Sequence, residues 1–461
     1  MKRWSILSLL AVLLLAVLLQ APWATASPPL VARASAATVD VSFVENAAEP
    51  FGSFDGVPFV RYTGLFEGET SLGEFRVPYE IVAPADPALG NGSVLVEPPH
   101  FLFAPYGRDL VLGRELVFQT VSGYASVGFG ENGMNILDPS ASGLILGSEP
   151  VAQPGAPNPT GLLDEEILIQ FSQALRSAPY AQDVLGNVDR LYAHGSSQTA
   201  AVLLESQRNL ARTSEQGLFD FTLLHTTLWS SEPVPETAAF DFLSGPFVPV
   251  DGVGKVIMVE TEGDLLISEA VQFRRVVSEP EYRLYEVAGA DHSPLLYNNP
   301  LDHSAVARAM FAAGDRWVRS GVPAPQSTLL DEATEGAVDP LYQRETGIAR
   351  DGDLNARGGV RLPDLAVGRA RFIALDLTTT IPGLPPRFAH LSGNTVDLAC
   401  EPEPGSSDDE PRFSNHGEYV SAFIRQADEL QQQGLLLEAD AEAMKQRAAE
   451  SEVGKPGTCA E

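Results

Sequence analysis

Between Thr38 and Pro84 apolar and polar residues alternate, with Gly and Pro at the turns, as in Phe59-Val-Arg-Tyr-Thr63 and the run from Gly73 to Ile81. A period of two sends successive side chains to opposite faces, so this stretch predicts antiparallel strands opening a sheet. After Pro84 the rhythm changes. Short apolar runs at Val94–Glu97, Gly123–Gly128, Val188–Ala193, Phe219–Leu224, Val256–Val259 and Arg283–Val287 alternate with helical patterns near Glu165–Arg176, Ala200–Ala211, Leu265–Val277 and Ala305–Arg319. Strands apolar on both faces need cover on both, so the alternation predicts an α/β fold: a doubly wound, mostly parallel sheet. Its reactive loops gather at the carboxyl edge of the strands.

Two insertions follow strands, residues 128–159 and 228–252, and each is expected to overhang that edge as a lid or pocket wall. Phe129, Trp229, Phe240, Phe242 and Phe247 within them have two readings, ordinary packing or the lining of an acyl pocket, the first being the commoner use of aromatic residues. Beyond Ser320 the chain turns Pro-rich and acidic and ends in amphipathic helices between His416 and Ser451. The expected organisation is a core over 38–325 with a C-terminal extension, 326–461, packed on it.

One junction carries chemistry. The β-like run to Ala193 meets Gly195-Ser-Ser-Gln-Thr199 and then the helical Ala200-Ala-Val-Leu-Leu-Glu205, the order of a nucleophile elbow. A serine on such a turn stands clear of the sheet, and the helix N-terminus behind it favours developing negative charge. Ser197 is the candidate nucleophile, and the backbone N–H of Gln198 a candidate oxyanion donor. A second donor is expected after Ser93-Val-Leu-Val-Glu97, at His100 or beyond, because Pro98 and Pro99 have no N–H. The elbow pattern usually has glycine where this chain has Thr199, which crowds the turn.

An acid and a base follow in the order Ser, Asp or Glu, His. Lys255-Val-Ile-Met-Val259 runs into Glu260-Thr-Glu-Gly-Asp264, which offers Asp264 as the acid with Glu262 as the alternative. Tyr282–Val287 runs into Ala288-Gly-Ala-Asp-His292, which puts a histidine in a Gly-containing loop off a strand edge. Of the seven histidines only His292 combines strand, loop and chain order. His225, ending its strand, reads as structural. Arg361 reads as a structural salt bridge before a partner for a substrate carboxylate.

These residues resemble the exported bacterial alpha/beta hydrolase domain-containing family, whose elbow usually reads G-x-S-Q-S-G where this chain has Gly195-Ser-Ser-Gln-Thr-Ala200. The likeness extends through Val77–Pro84, Thr261–Asp264, Tyr285–Gly289 with His292, Arg316–Gly321, Arg350–Pro363 and the C-terminal helices, nearly all of the chain beyond its first residues. It implies an α/β-hydrolase fold and cofactor-free hydrolysis of carboxylic esters, with Ser197, an acid on the Glu262/Asp264 turn and His292 as the triad. A serine peptidase or lipase on the same fold, and a noncatalytic exported binding protein, are the alternatives.

Composition narrows the partners and the compartment. Lys2 and Arg3, the apolar run Ile6–Leu19 and Ala24-Thr-Ala26 read as a secretory signal over residues 1–26, so the expected location is secreted or periplasmic. A formal charge of −31 argues against nucleic acid or an anionic membrane as partner and leaves a small-molecule or polymeric ester as substrate. No Cys/His spacing suggests a metal. Cys400 and Cys459 are the only cysteines, and an even pair in an exported chain predicts a disulfide closing a loop over the last helices.

Overall fold

The computed structural model describes residues 41–70, 73–98, 105–128, 145–146, 149–150, 162–197, 199–200, 203–204, 206, 217–227, 254–268, 280–292, 298–376, 391–402, 404–405 and 411–459. These fall into two compact units: one ends at Thr227 and takes in residues 254–256, and the other runs from Ile257 onward. The signal segment 1–26, residues 228–252 and nearly all of 128–159 lie outside the described residues, and with them the five aromatic residues expected in those insertions.

In the first unit, β1 (Ser42–Phe54), β2 (Val57–Thr70) and β3 (Gly73–Pro84) form the antiparallel ribbon that the alternating pattern requires. Asp55 and Gly56, at φ 50° and 79°, make the two-residue turn between the first two strands. Turns of this kind need positive φ at both positions, which Asp-Gly supplies. The short apolar runs become β4 (Ser93–Val96) and β5 (Gly123–Val127), then, after a small hairpin of β6 (Ile145–Leu146) and β7 (Glu149–Pro150), β8 (Arg190–Ser196) and β9 (Phe221–His225). The strand order across this unit is β1-β2-β3-β5-β4-β8-β9. β3 meets β5 antiparallel, whereas β4 pairs parallel with both β5 and β8, and β8 with β9. Leu95, Val96, Leu191, Ala193, Phe221 and Leu223 are fully buried, as strands covered on both faces must be. Each large apolar side chain among them contributes roughly 1.5–3 kcal/mol relative to exposure.

In the second unit β10 (Lys255–Thr261) and β11 (Tyr282–Val287) are neighbours. The helix Glu262–Ser268 starts where β10 stops, ahead of the expected start at Leu265 and without an intervening turn. Residues of the extension bridge to β11 in parallel fashion, Thr328 to Tyr285 and Val360 to Val287. The extension also holds two short hairpins, β12 (Val338–Asp339) with β13 (Arg344–Glu345) and β14 (Ala370–Ile373) with β15 (Asn394–Asp397). Helix Ser304–Ser320 buries the stripe Ala305, Val306, Ala309, Met310, Ala313 and Trp317 and stops at Gly321, whose φ of 69° is the usual left-handed helix end. The helices His416–Gln432 and Glu438–Glu450 bury Tyr419, Phe423, Ala427 and Leu430, and Ala441, Met444 and Ala448. Cys400 and Cys459 are disulfide-bonded, with Cα atoms 5.3 Å apart.

Candidate active site

Ser197 follows directly on β8 and has φ 54°, a left-handed conformation that few residues other than glycine adopt. Three ties hold it there. Its N–H donates to the His225 carbonyl at the end of β9 (3.0 Å), and its own carbonyl accepts from Ala200 N (3.1 Å). The third is Thr199, whose hydroxyl accepts from Ser196 N (2.8 Å) and donates to Ser196 O (2.9 Å). Thr199 therefore staples the elbow, where its bulk was expected to crowd it. Crowding falls elsewhere: a Cβ on Gly195 would lie 2.6 Å from Ala200 N and from Thr199 O, so this position admits only glycine. Ser196 Oγ lies in a buried polar cluster with Thr226 Oγ1 (3.1 Å) and His225 Nδ1 (3.4 Å), a structural place for His225. Gln198 lies outside the described residues.

Glu97, directly after β4, is a buried carboxylate that sequence reasoning passed over. It accepts the N–H groups of Gly107 and Arg108 and the phenol of Tyr124 (3.1 Å), while His194 Nδ1 lies 3.5 Å away. The loop expected to carry an oxyanion donor thus leaves β4 at Glu97 and is pinned to the same side chain where it ends. Gly107 permits this, since a Cβ there would fall onto the His194 ring and Glu97 Oε1. Arg108, also buried, pairs with Glu80 (2.6 Å) and lies over the Tyr124 ring at 4.5 Å. Burial, reinforced by the charge of Glu97, pushes the phenols of Tyr106 and Tyr124 well above their usual range, so both stay neutral.

In the second unit the structure brings Asp264 and His292 together. Nδ1 of His292 lies 2.6 Å from Asp264 Oδ1, and both side chains are nearly withdrawn from solvent. The other oxygen of Asp264 accepts from Thr261 N (3.1 Å) and Thr261 Oγ1 (2.6 Å), while Thr261 Oγ1 accepts from Asp264 N (3.1 Å). This reciprocal pattern is a capping box, with Asp264 at the third position of its helix. One carboxylate oxygen caps the helix and the other holds the imidazole. Glu262 turns elsewhere: it accepts from Gly289 N (2.7 Å) and from Arg350, so of the two candidate acids it is Asp264 that contacts His292.

A family model described as an alpha/beta hydrolase domain matches residues 81–446. The chain belongs to the alpha/beta hydrolase family. Among similar solved structures are a fungal esterase from Rhizomucor miehei (13% identity over 56% of this chain and 84% of that one, TM-score 0.40) and the Pyrobaculum calidifontis esterase (12%, 70% and 94%, 0.36). An arylesterase is similar at 10% identity over 68% of this chain and 91% of that one, with a TM-score of 0.38. No curated protein matches the chain in sequence.

Within this alpha/beta hydrolase, Asp291 is held apart from the neighbouring pair. Its Oδ2 accepts from Gly393 N (2.7 Å), and burial pushes its carboxyl up to about 7. Arg361 pairs with Asp351 (2.8 Å), the structural use preferred for it. Among the described residues no group of three or more His, Cys, Asp and Glu could hold a metal ion, and no helix is long and apolar enough to cross a membrane. Of the residues missed, Thr261 had a legible signal in the T-x-x-D spacing. Glu97 and Arg350 had none, since their partners are distant in sequence.

Proposed function

We propose that this alpha/beta hydrolase is an exported serine hydrolase cleaving carboxylic esters. The observation that carries the reading is the buried Asp264–His292 pair, in which a carboxylate accepts Nδ1–H and so selects the tautomer with a basic Nε2. The strained backbone of Ser197 at a strand-to-helix junction supports its role as nucleophile. In the proposed reaction His292 takes the hydroxyl proton as Ser197 Oγ attacks the ester carbonyl. Collapse of the tetrahedral intermediate expels the alcohol, which receives that proton, and leaves an acyl-enzyme. Water then adds to the acyl carbon with His292 again as base, the acid is released and the serine is reprotonated. Asp264 stabilises the imidazolium in both halves. The basic and apolar opening of the chain supports export.

A fluorophosphonate probe and short p-nitrophenyl esters test this. Wild type should be labelled and should turn over the esters. Ser197→Ala should lose labelling and about 10³-fold or more of kcat, and Asp264→Asn about 10⁴-fold through the wrong tautomer. Folded wild-type protein that is neither labelled nor active would reject the reading and favour a binding protein.

A further inference from the structure

The loop Ala288–His292 delivers the imidazole, and it is gripped jointly by the C-terminal extension, the start of the helix after β10 and Asn299. Ala288 N donates to Val360 O (3.1 Å), Gly263 N to Ala290 O (3.0 Å), and Gly393 N to the Asp291 carboxylate (2.7 Å). Gly289 is held on both sides: its N–H by Glu262 Oε2 (2.7 Å) and its carbonyl by Asn299 Nδ2 (2.6 Å). At φ 71° it is also pressed against the extension, where a Cβ would lie 2.5 Å from Leu365 Cδ1 and 2.8 Å from Phe372 Cβ.

The grip on Gly289 is itself anchored. The second oxygen of Glu262, Oε1, accepts from Arg350 Nη1, and another edge of that guanidinium donates to Asp339 Oδ2 through Nε (2.9 Å) and Nη2 (2.7 Å). The Tyr342 ring lies 5.2 Å from the guanidinium carbon. Glu262, Arg350 and Asp339 have side chains 0%, 5% and 1% exposed. A buried acid–base–acid triad contributes little to stability beyond what a well-packed apolar cluster gives, because each charge loses its hydration. Its value here lies in direction. Glu262 stands two residues before Asp264 on the same helical turn, and its carboxylate holds the loop three residues before His292.

We propose that Arg350, acting through Glu262, is a positioning residue that fixes the separation of Asp264 and His292. The extension 326–461 is then a working part of the hydrolase. This rests on His292 being the general base. Arg350 touches neither substrate nor the reacting atoms, and only its fork can hold Glu262 and Asp339 at once.

Full-length Arg350→Met, Arg350→Lys and Glu262→Gln test it with two readouts. In kinetics on p-nitrophenyl acetate, Arg350→Met and Glu262→Gln should lower kcat on the order of 10- to 100-fold with KM held within about twofold, and Arg350→Lys should recover only part of the loss. The far-downfield Nδ1 proton resonance of His292, which needs no turnover, should shift or broaden in the same order. Removing the guanidinium leaves two buried carboxylates facing each other, so if Arg350→Met does not fold, Arg350→Lys and Glu262→Gln decide. Unchanged kcat and an unchanged resonance in the folded variants would overturn the positioning role. Wild-type inactivity would instead remove the esterase reading, and the resonance would still judge the brace.

Discussion

Thr199 shows how one residue can be legible in type and misread in effect. From the sequence it is a bulky intruder at the glycine of an elbow pattern; in place, its hydroxyl bonds both the N–H and the carbonyl of Ser196. A β-branched side chain has few rotamers to lose, which suits it to a staple. Thr199→Val keeps the shape and removes the bonds, leaving buried backbone groups short of a partner. It is expected to destabilise by about 1–3 kcal/mol, read as a lower midpoint in urea. Thr199→Ser keeps the hydroxyl and should stay within about 1 kcal/mol of wild type; a destabilised Thr199→Ser beside a Thr199→Val as stable as wild type would show that size, not bonding, matters here. Ser197, Asp264 and His292 were readable as candidates because chain order and strand ends mark them. The place of Asp264 after Gly263 favours it over Glu262; the contact of Glu262 with Arg350 was not readable, since the two are 88 residues apart.

The strands were legible element by element. An antiparallel ribbon follows from alternation, and buried strands from short β-branched runs, because both patterns report which faces meet water. What periodicity could not supply was the junction after β10, where the helix begins at once at Glu262. The capping box between Thr261 and Asp264 explains it, a local side-chain device that overrides the turn suggested by Gly263. Contacts between distant elements were equally hidden. Asp291 in the histidine loop accepts from Gly393, just ahead of β15, and burial holds its carboxyl at about 7 against an ordinary value of 3.8. Between these values the folded chain keeps a proton that the unfolded chain has released, so this group's contribution to stability falls as pH rises from about 4 to about 7. Above about 7 it is constant. Asp291→Asn keeps an acceptor for Gly393 and cannot ionise; its melting temperature relative to wild type should climb across that window and level off above it. A difference independent of pH would show that Asp291 is not the titrating group.

At the scale of the whole molecule, charge and covalent closure act in opposite senses. A formal charge of −31 repels itself within any compact state, more strongly as salt is lowered and the screening length grows. The Cys400–Cys459 bond closes 59 residues of chain, from the end of the β14–β15 region past both C-terminal helices. Its main effect falls on the unfolded ensemble: with the tail tied back, an expanded acidic chain has fewer conformations to gain, and a loop of this length is worth about 2–4 kcal/mol. Because the bond restricts how far the unfolded chain can spread its charges, its loss should be felt most where repulsion is strongest. Cys400→Ser/Cys459→Ser is therefore expected to lower the unfolding free energy by about 2–4 kcal/mol at moderate salt, measured in urea, with a larger deficit at low salt. A deficit that stays the same across salt would separate the crosslink from the electrostatics, and a variant as stable as wild type would mean that helix packing alone holds the tail.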